Sequence, residues 1–159
     1  MANDIKDRPN NFPLPPVTVA VMLIIAFVLK NYAPALALSF TSLIGLKILG
    51  WALVGVALAI DIWAARVFAA AKTNLMPTKP AENLVDHGPF QYSRNPIYVG
   101  NIMILIGVGM IAGIGLLYLF AILAVYILQE FQIKREEAHL AARFGEAWDD
   151  YKSRVRRWV

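Results

Sequence analysis

The feature that most constrains the fold is an uncharged, mostly apolar run over residues 97–128. As one α-helix it would be about 48 Å long, whereas the hydrocarbon core of a bilayer is about 30 Å thick. We therefore predict that this run folds back as a helical hairpin. The bend is predicted at residues 107–115, where several glycines permit a tight reversal. Gly109 and Gly113 also form a small-xxx-small pair, which is typical of close helix packing.

Two earlier apolar segments, residues 17 to about 38 and 43 to about 71, are also long enough to cross a membrane. The chain is 58% hydrophobic with a mean hydropathy of +0.55, whereas soluble domains carry about 45–50% apolar residues. We predict an all-α polytopic membrane protein with four transmembrane helices, the third and fourth forming a tight hairpin. A helical cytoplasmic C-terminal tail completes this prediction.

The basic residues predict the orientation. Of the 15 Lys and Arg residues, only Lys30 and Lys47 fall on the connection between the first two spans. By the positive-inside rule, the other side is cytoplasmic. The chain then reads as a single integral membrane domain, 1–159, with a cytoplasmic N-terminus (1–16), two spans (17–71), a cytoplasmic loop (72–96), the hairpin (97–128) and a cytoplasmic tail (129–159). We expect a bacterial or archaeal cytoplasmic membrane.

Charge and residue usage also exclude several kinds of site. The net charge of +4 suits attraction to anionic lipids, and no nucleic-acid recognition motif is present. There is no cysteine, and the only histidines, His87 and His139, are far apart in the sequence. We therefore expect no metal site. The oligomeric state is left open.

Residues 87–100, HGPFQYSRNPIYVG, place turn formers, a cation and aromatic residues directly before the hairpin. Gly88 and Pro89 break any preceding helix, and Pro96 predicts a helix start at Asn95 to Ile97. Free N–H groups at that start would suit a carboxylate. The alternative is a simple interfacial turn, with aromatic residues and a snorkelling arginine at the membrane surface.

The tail is predicted to continue the fourth span as a polar helix to Phe144, with Gly145 as a stop. A second helix, residues 146–156, carries Trp148, Tyr151 and Val155 on one stripe, which would lie on the membrane or pack on the core. The polar helix carries an acidic pair at 136 and 137. Because a hairpin brings its ends together, this pair should lie near the proline-led helix start.

These elements together resemble a family of integral membrane methyltransferases, which includes isoprenylcysteine carboxyl methyltransferase and the phospholipid N-methyltransferases. The resemblance covers roughly the C-terminal half and rests on these residues in order: Leu84-Val85, Gly88-Pro89-Phe90, residues 93–100, Glu136-Glu137, Phe144-Gly145 and Tyr151. It implies S-adenosylmethionine as methyl donor, in a cytosolic pocket, with a lipophilic acceptor entering from the bilayer. The donor-pocket residues that it implies are Asn83, Leu84, Val85, Phe90, Asn95, Pro96, Ile97, Tyr98 and Glu136.

Two positions depart from the isoprenylcysteine enzymes. Asn95 stands where those enzymes commonly have histidine before the motif proline, and Gln132 stands where they have an arginine that holds the substrate carboxylate. We expect Arg94 to orient an anionic acceptor, so that O-methylation of a carboxylate is the favoured reaction. For the alternative, N-methylation of a phospholipid or other amine, Glu137 or His139 would accept the proton.

Other classes of protein remain open alternatives. A non-catalytic membrane scaffold or subunit would use the basic tail to dock a partner, and a small transporter would need more polar residues within the spans. Asp61 is costly inside a span and is a functional candidate by default. Arg66 or lipid headgroups would satisfy it near the cytoplasmic end, so we leave Asp61 out of the catalytic set.

Overall fold

The computed structural model describes residues 14–72 and 82–159. The helices in chain order are α1 (Leu14–Tyr32), α2 (Ile44–Ala70), α3 (Pro96–Ala112), α4 (Leu116–Leu128), α5 (Lys134–Phe144) and α6 (Glu146–Arg154). A 3-10 turn, Gly88–Gln91, precedes α3, and a π-helical turn, Gln129–Ile133, joins α4 to α5. The prediction of an all-helical fold is confirmed for these residues. Residues 1–13 of the predicted N-terminus and residues 73–81 of the predicted loop lie outside them.

Three stretches of helix are long and apolar enough to cross a membrane: Pro15–Tyr32, Ile44–Ala70 and the continuous Leu116–Phe144. α3 is also apolar but has only 17 residues. Large apolar side chains cover the outside of the helices; those of Ile24, Ile48, Trp51 and Ile122 are all more than half exposed. An apolar outer surface of this extent needs lipid around it. The protein is therefore an integral membrane protein.

Small residues let α2 and α3 pack closely. α2 buries Gly50, Ala57 and Ala64 at intervals of seven residues. A Cβ atom added at Gly107 of α3 would lie 2.8 Å from the Gly50 carbonyl oxygen, and one added at Gly50 would lie 2.6 Å from the Gly107 oxygen. Within a bilayer, such close backbone approach contributes van der Waals packing between helices.

α1 and α4 complete the bundle around α3. Ala26 of α1, Leu105 of α3 and Leu117 and Ala124 of α4 are fully buried in one apolar cluster. The cluster holds α1 and α4 against the same helix that α2 packs on. α3 is therefore the central element of the bundle.

The reversal between α3 and α4 is shorter than the predicted bend. α3 continues through Gly107 and Gly109, and the turn falls at Gly113, whose φ of 66° is in the left-handed region. The backbone N–H of Phe40 donates to the Gly113 carbonyl oxygen over 3.0 Å. The turn thus lies within the predicted range of 107–115 but only at its C-terminal end, because Gly107 provides close packing against α2 rather than a turn.

The first apolar segment, predicted over residues 17 to about 38, is helical only as far as Tyr32, where α1 ends. Pro34 lacks an N–H and disfavours helix at the residue before it.

Within the described part of the chain, Asp61 of α2 does not have the protein partner that was expected for it. Its Oδ1 is buried with no hydrogen-bond partner among the described residues, and it lies 2.8 Å from where a Cβ of Gly100 would be.

Candidate active site

The two ends of the hairpin meet at Tyr98 and Glu136, as predicted. Tyr98 lies in the first turn of α3 and Glu136 in the first turn of α5. The Tyr98 hydroxyl donates to Glu136 Oε1 over 2.7 Å, although the residues are 38 positions apart. Tyr98 is 9% exposed, so the hydrogen bond forms largely away from water. A hydrogen bond in such surroundings is stronger than one at a surface.

Gln132 supplies a second donor to the same carboxylate. Its Nε2 lies 2.6 Å from Glu136 Oε1, and the side chain is fully buried. Gln132 belongs to the π-helical turn, an element that is common at functional sites. Its Oε1 is buried and accepts no hydrogen bond from the described residues. A buried acceptor without a donor is costly, so this atom favours a site that a ligand completes.

A second cluster lies beside the first and consists of Arg94, Glu137 and Arg157. Arg94 Nη2 lies 2.9 Å from Glu137 Oε1. Arg157 binds the same carboxylate in bidentate fashion, with Nε 3.0 Å from Oε1 and Nη2 2.6 Å from Oε2. The hydrogen bonds to Glu137 raise the pKa of the Arg157 guanidinium. Two cations therefore share one anion, which leaves the cluster with a positive charge.

Arg94 is held almost out of contact with solvent, since its side chain is 8% exposed. The centre of its guanidinium lies 5.5 Å from the centroid of the Trp148 ring, within the range of a cation–π contact. Its Nε and Nη1 are buried and donate to no acceptor among the described residues. Arg94 thus has two nitrogens, Nε and Nη1, available to donate to a further anionic or carbonyl partner.

The start of α3 is fastened to residues 155–158, which we call the C-terminal strap. The side-chain amide of Asn95 donates to the carbonyl oxygen of Arg157 over 2.8 Å. The backbone N–H of Arg94 donates to the carbonyl oxygen of Arg156 over 2.9 Å. The residues before α3 are thus held by the strap as well as by the helix that they begin.

The first turn of α3 differs from the prediction of free N–H groups. The N–H groups of Tyr98 and Val99 both donate to the Asn95 carbonyl oxygen, over 3.0 and 3.1 Å. Pro96 has no N–H to offer. The prediction was wrong for these positions because the ordinary hydrogen bonds of the first turn have already formed. The binding of an anion here falls mainly to side chains.

The predicted donor-pocket residues before α3 are used for packing beside the site. Asn83 donates from Nδ2 to the Ala71 carbonyl oxygen at the end of α2, over 2.7 Å. Val85 and Phe90 are buried together, and the Phe90 ring meets Phe68 edge-on at 4.9 Å between centroids. Their contact with a methyl donor stays a prediction.

Leu84 and Ile97 lie at the margins of these clusters. Leu84 packs against the buried cluster of Trp148, Tyr151 and Val155. Ile97 contacts both the Phe90 cluster and the Tyr98 cluster. Ile97 therefore links the loop before α3 to the pair of Tyr98 and Glu136.

The α6 stripe packs on the core rather than on the membrane. Tyr151 is 2% exposed, and its hydroxyl donates to the Phe90 carbonyl oxygen over 2.8 Å. Burial raises the pKa of the Tyr151 phenol, so it remains a donor.

His139 of α5 is buried, with 1% of its surface exposed. The polar pattern of this helix had predicted an exposed histidine.

Two residues of the site were not in the predicted set. Gln132 was noted only as a departure from a family pattern, although its spacing of four from Glu136 places both on one helix face. Arg157 belongs to a run of basic residues near the end of the chain, a pattern that predicts solvent exposure. Its sequence context carries no signal for a bidentate contact with Glu137. Within residues 14–72 and 82–159, no three His, Asp or Glu side chains form a group that would hold a metal ion.

The part of the sequence that forms most of this site matches a known protein family. The family model for phospholipid methyltransferase matches residues 46–147, which include most of α2, all of α3 and both members of the acidic pair. The chain belongs to the phospholipid methyltransferase family. An uncharacterised protein of Haemophilus influenzae is 35% identical over 63 residues, which is 40% of this chain and the whole of that protein.

The family fold is also seen in a solved structure, that of the eukaryotic intramembrane Ras methyltransferase isoprenylcysteine carboxyl methyltransferase. It matches 92% of this chain with a TM-score of 0.50 and 19% sequence identity. This chain covers 52% of that protein, so it spans about half the length of the structure it matches. At this identity, the likeness concerns the fold alone.

Proposed function

We propose that this member of the phospholipid methyltransferase family is an enzyme that transfers a methyl group from S-adenosylmethionine to a small lipophilic acceptor. The observation that carries the proposal is the hydrogen bond between Tyr98 and Glu136. It joins the proline-led helix start to the acidic pair, the two parts of the resemblance to membrane methyltransferases, in one buried site. In the proposed topology α1 to α4 are the four spans, and both termini and the site are cytoplasmic.

The side chains fit the polar part of the donor. Glu136 suits the donor's ammonium or a hydroxyl group, and its two observed hydrogen bonds both use Oε1. The buried Gln132 Oε1, which lacks a donor among the described residues, suits another N–H or O–H group. S-adenosylmethionine would supply a methyl group on a sulfonium, which is transferred by in-line displacement. The protein then has to align the reactants and exclude water, and needs no nucleophilic side chain.

The proposed acceptor is a carboxylate. The cluster of Arg94, Glu137 and Arg157 has an excess positive charge, and Arg94 Nε and Nη1 have no acceptor among the described residues. A carboxylate oxygen attacks the methyl group without losing a proton. An amine would need a base, and both oxygens of Glu137 are already bound to guanidinium groups.

The bilayer side of the site offers room for an apolar chain. A groove of about 330 Å³ between α1 and α4 is lined by apolar side chains, including Val17, Ile25, Phe120 and Ile127. Leu128 follows this lining directly and packs in the cluster that contains Tyr98. An acyl or prenyl chain of the acceptor would suit this apolar groove.

Incubation with radiolabelled methyl donor tests the proposal. The acceptors offered are a prenylcysteine analogue, a fatty acid and phosphatidylethanolamine, and the products are then treated with base. Methyl esters release volatile methanol under base, whereas methylamines do not. We expect base-labile label. A base-stable product would support N-methylation instead, and a non-catalytic scaffold would give no label and bind no donor.

A further inference from the structure

The C-terminal strap contacts both walls of the proposed donor site. One wall is the start of α3, with Asn95 and Tyr98, and the other is the first turn of α5, with Glu136 and its neighbour Glu137. We propose that Arg157 is a positioning residue that clamps these two walls together and slows the release of the bound donor. This inference rests on the proposed donor site.

The side chain of Arg157 fixes the α5 wall. Its guanidinium holds both oxygens of Glu137, a geometry that restricts rotation of the carboxylate as well as its position. Glu137 is 14% exposed and Arg157 is 31% exposed, so the pair is only partly screened by water. Because Glu137 directly follows Glu136, holding its side chain also holds the helical turn that presents Glu136 to the donor.

The backbone of the same residue fixes the α3 wall. The Arg157 carbonyl oxygen accepts a hydrogen bond from the Asn95 side chain over 2.8 Å and lies 3.4 Å from the Ser93 hydroxyl oxygen. Asn95 directly precedes α3. One residue of the strap thus binds both ends of the hairpin, through its side chain on one end and its carbonyl group on the other.

Trp158, the next residue of the strap, makes further contacts with the site. The indole N–H of Trp158 donates to Gln129 Oε1 over 3.3 Å, and its ring packs against the cluster that contains Tyr98, Leu128 and Ile133. The strap therefore lies against the π-helical turn as well as both walls. The strap holds both walls in place, so its loss should speed the dissociation of a ligand held between them.

A nearby arginine provides a matched control. Arg154 also forms ion pairs, with Asp150 at 2.9 Å and Asp86 at 3.6 Å. All three side chains are about half exposed or more, and none contacts the Tyr98 and Glu136 pair. Exposed ion pairs of this kind contribute little to stability. Loss of Arg154 removes a similar charge from the same region but leaves the clamp intact.

The experiment measures the dissociation rate of S-adenosylhomocysteine from the full chain in nanodiscs. We expect Arg157→Ala to release it about tenfold faster with little change in the association rate, because the loss of charged hydrogen bonds affects mainly dissociation. Arg157→Lys, which keeps the charge but not the bidentate contact, should fall between Arg157→Ala and the unmodified chain. Arg154→Ala should dissociate at the unmodified rate.

A double variant separates positioning from a general loss of structure. If Arg157 acts through Glu137, the variant with both Arg157→Ala and Glu137→Gln should release the ligand no faster than the more affected single variant. Equal rates for Arg157→Ala and the unmodified chain would overturn the clamp and leave the proposed function standing. Failure of the folded, unmodified chain to bind the ligand would overturn the proposed function itself.

Discussion

Tyr98 and Glu136 form a hydrogen bond of 2.7 Å between the first turn of α3 and the first turn of α5. The bond joins one end of the hairpin to the polar extension of its other end. Gln132 donates to the same carboxylate oxygen, so the orientation of Glu136 is set from two elements. A carboxylate that is held in this way is preorganised for ligand binding.

Removal of the Tyr98 hydroxyl tests whether the orientation of Glu136 matters for binding. In Tyr98→Phe, Glu136 keeps Gln132 as a donor but loses the contact with α3. A hydrogen bond contributes about 0.5–1.5 kcal/mol, so donor affinity should fall severalfold, up to about tenfold. Isothermal titration with S-adenosylhomocysteine measures this change. The control is Tyr126→Phe, since Tyr126 is 61% exposed on α4; equal affinities for the two variants would contradict the role of Tyr98.

The close packing of α2 on α3 makes a separate prediction about stability. In Gly107→Ala, the added methyl group would lie 2.8 Å from the Gly50 carbonyl oxygen. Overpacking of this kind costs about 1–3 kcal/mol, and the melting temperature in detergent should fall. Gly55 lies on the same helix as Gly50, and a Cβ there would have no atom within 4 Å. Gly55→Ala should therefore melt near the unmodified temperature, and an equal loss in both variants would refute the packing argument.

The sequence predicted the parts of the fold that depend on hydrophobic length and on turn residues. The excess length of the apolar run predicted a hairpin, and Pro96 predicted the start of α3, because both rest on local chemistry. The extent of the bend was not predictable from glycine content alone. A glycine provides either a reversal, as at Gly113, or room for a neighbouring helix, as at Gly107, and only the partner helix decides between them.

The sequence predicted one contact of the site but not the others. The meeting of Glu136 with the start of α3 followed from hairpin geometry, since the ends of two antiparallel helices are close whatever their sequence. The contact of Arg157 with Glu137 could not be predicted, because it depends on how the chain returns after α6. The buried position of His139 likewise depends on packing between α5 and its neighbours, which a polar helical pattern does not reveal.

The proposed orientation can be tested because the sequence contains no cysteine. Asp150 lies on α6 with its side chain 67% exposed, and Lys47 is exposed near the other end of the bundle. In intact cells, an impermeant thiol reagent should label Lys47→Cys from outside and should reach Asp150→Cys only after the cells are opened. Labelling of Asp150→Cys from outside would contradict cytoplasmic termini.

Arg94 is predicted to act on the acceptor rather than on the donor. In Arg94→Ala, Glu137 keeps its bidentate contact with Arg157, so the ion pair is not left without a partner. We expect methyl transfer to a carboxylate acceptor to fall at least tenfold, because the lost contacts are charged hydrogen bonds, while donor affinity changes little. Labelled product and donor affinity are measured on the same preparation. Undiminished transfer would show that another residue orients the acceptor.

The central claim, that the site at Tyr98 and Glu136 binds a methyl donor, is tested most directly by calorimetry with S-adenosylmethionine on the folded chain in nanodiscs. We expect micromolar binding for the unmodified chain and for Glu130→Ala, whose side chain is paired with Lys134 on the surface. Glu136→Ala should weaken binding by about 2–5 kcal/mol, since it removes the partner of a buried polar or charged group. No heat of binding from the folded, unmodified chain, or equal affinity in Glu136→Ala, would contradict the account.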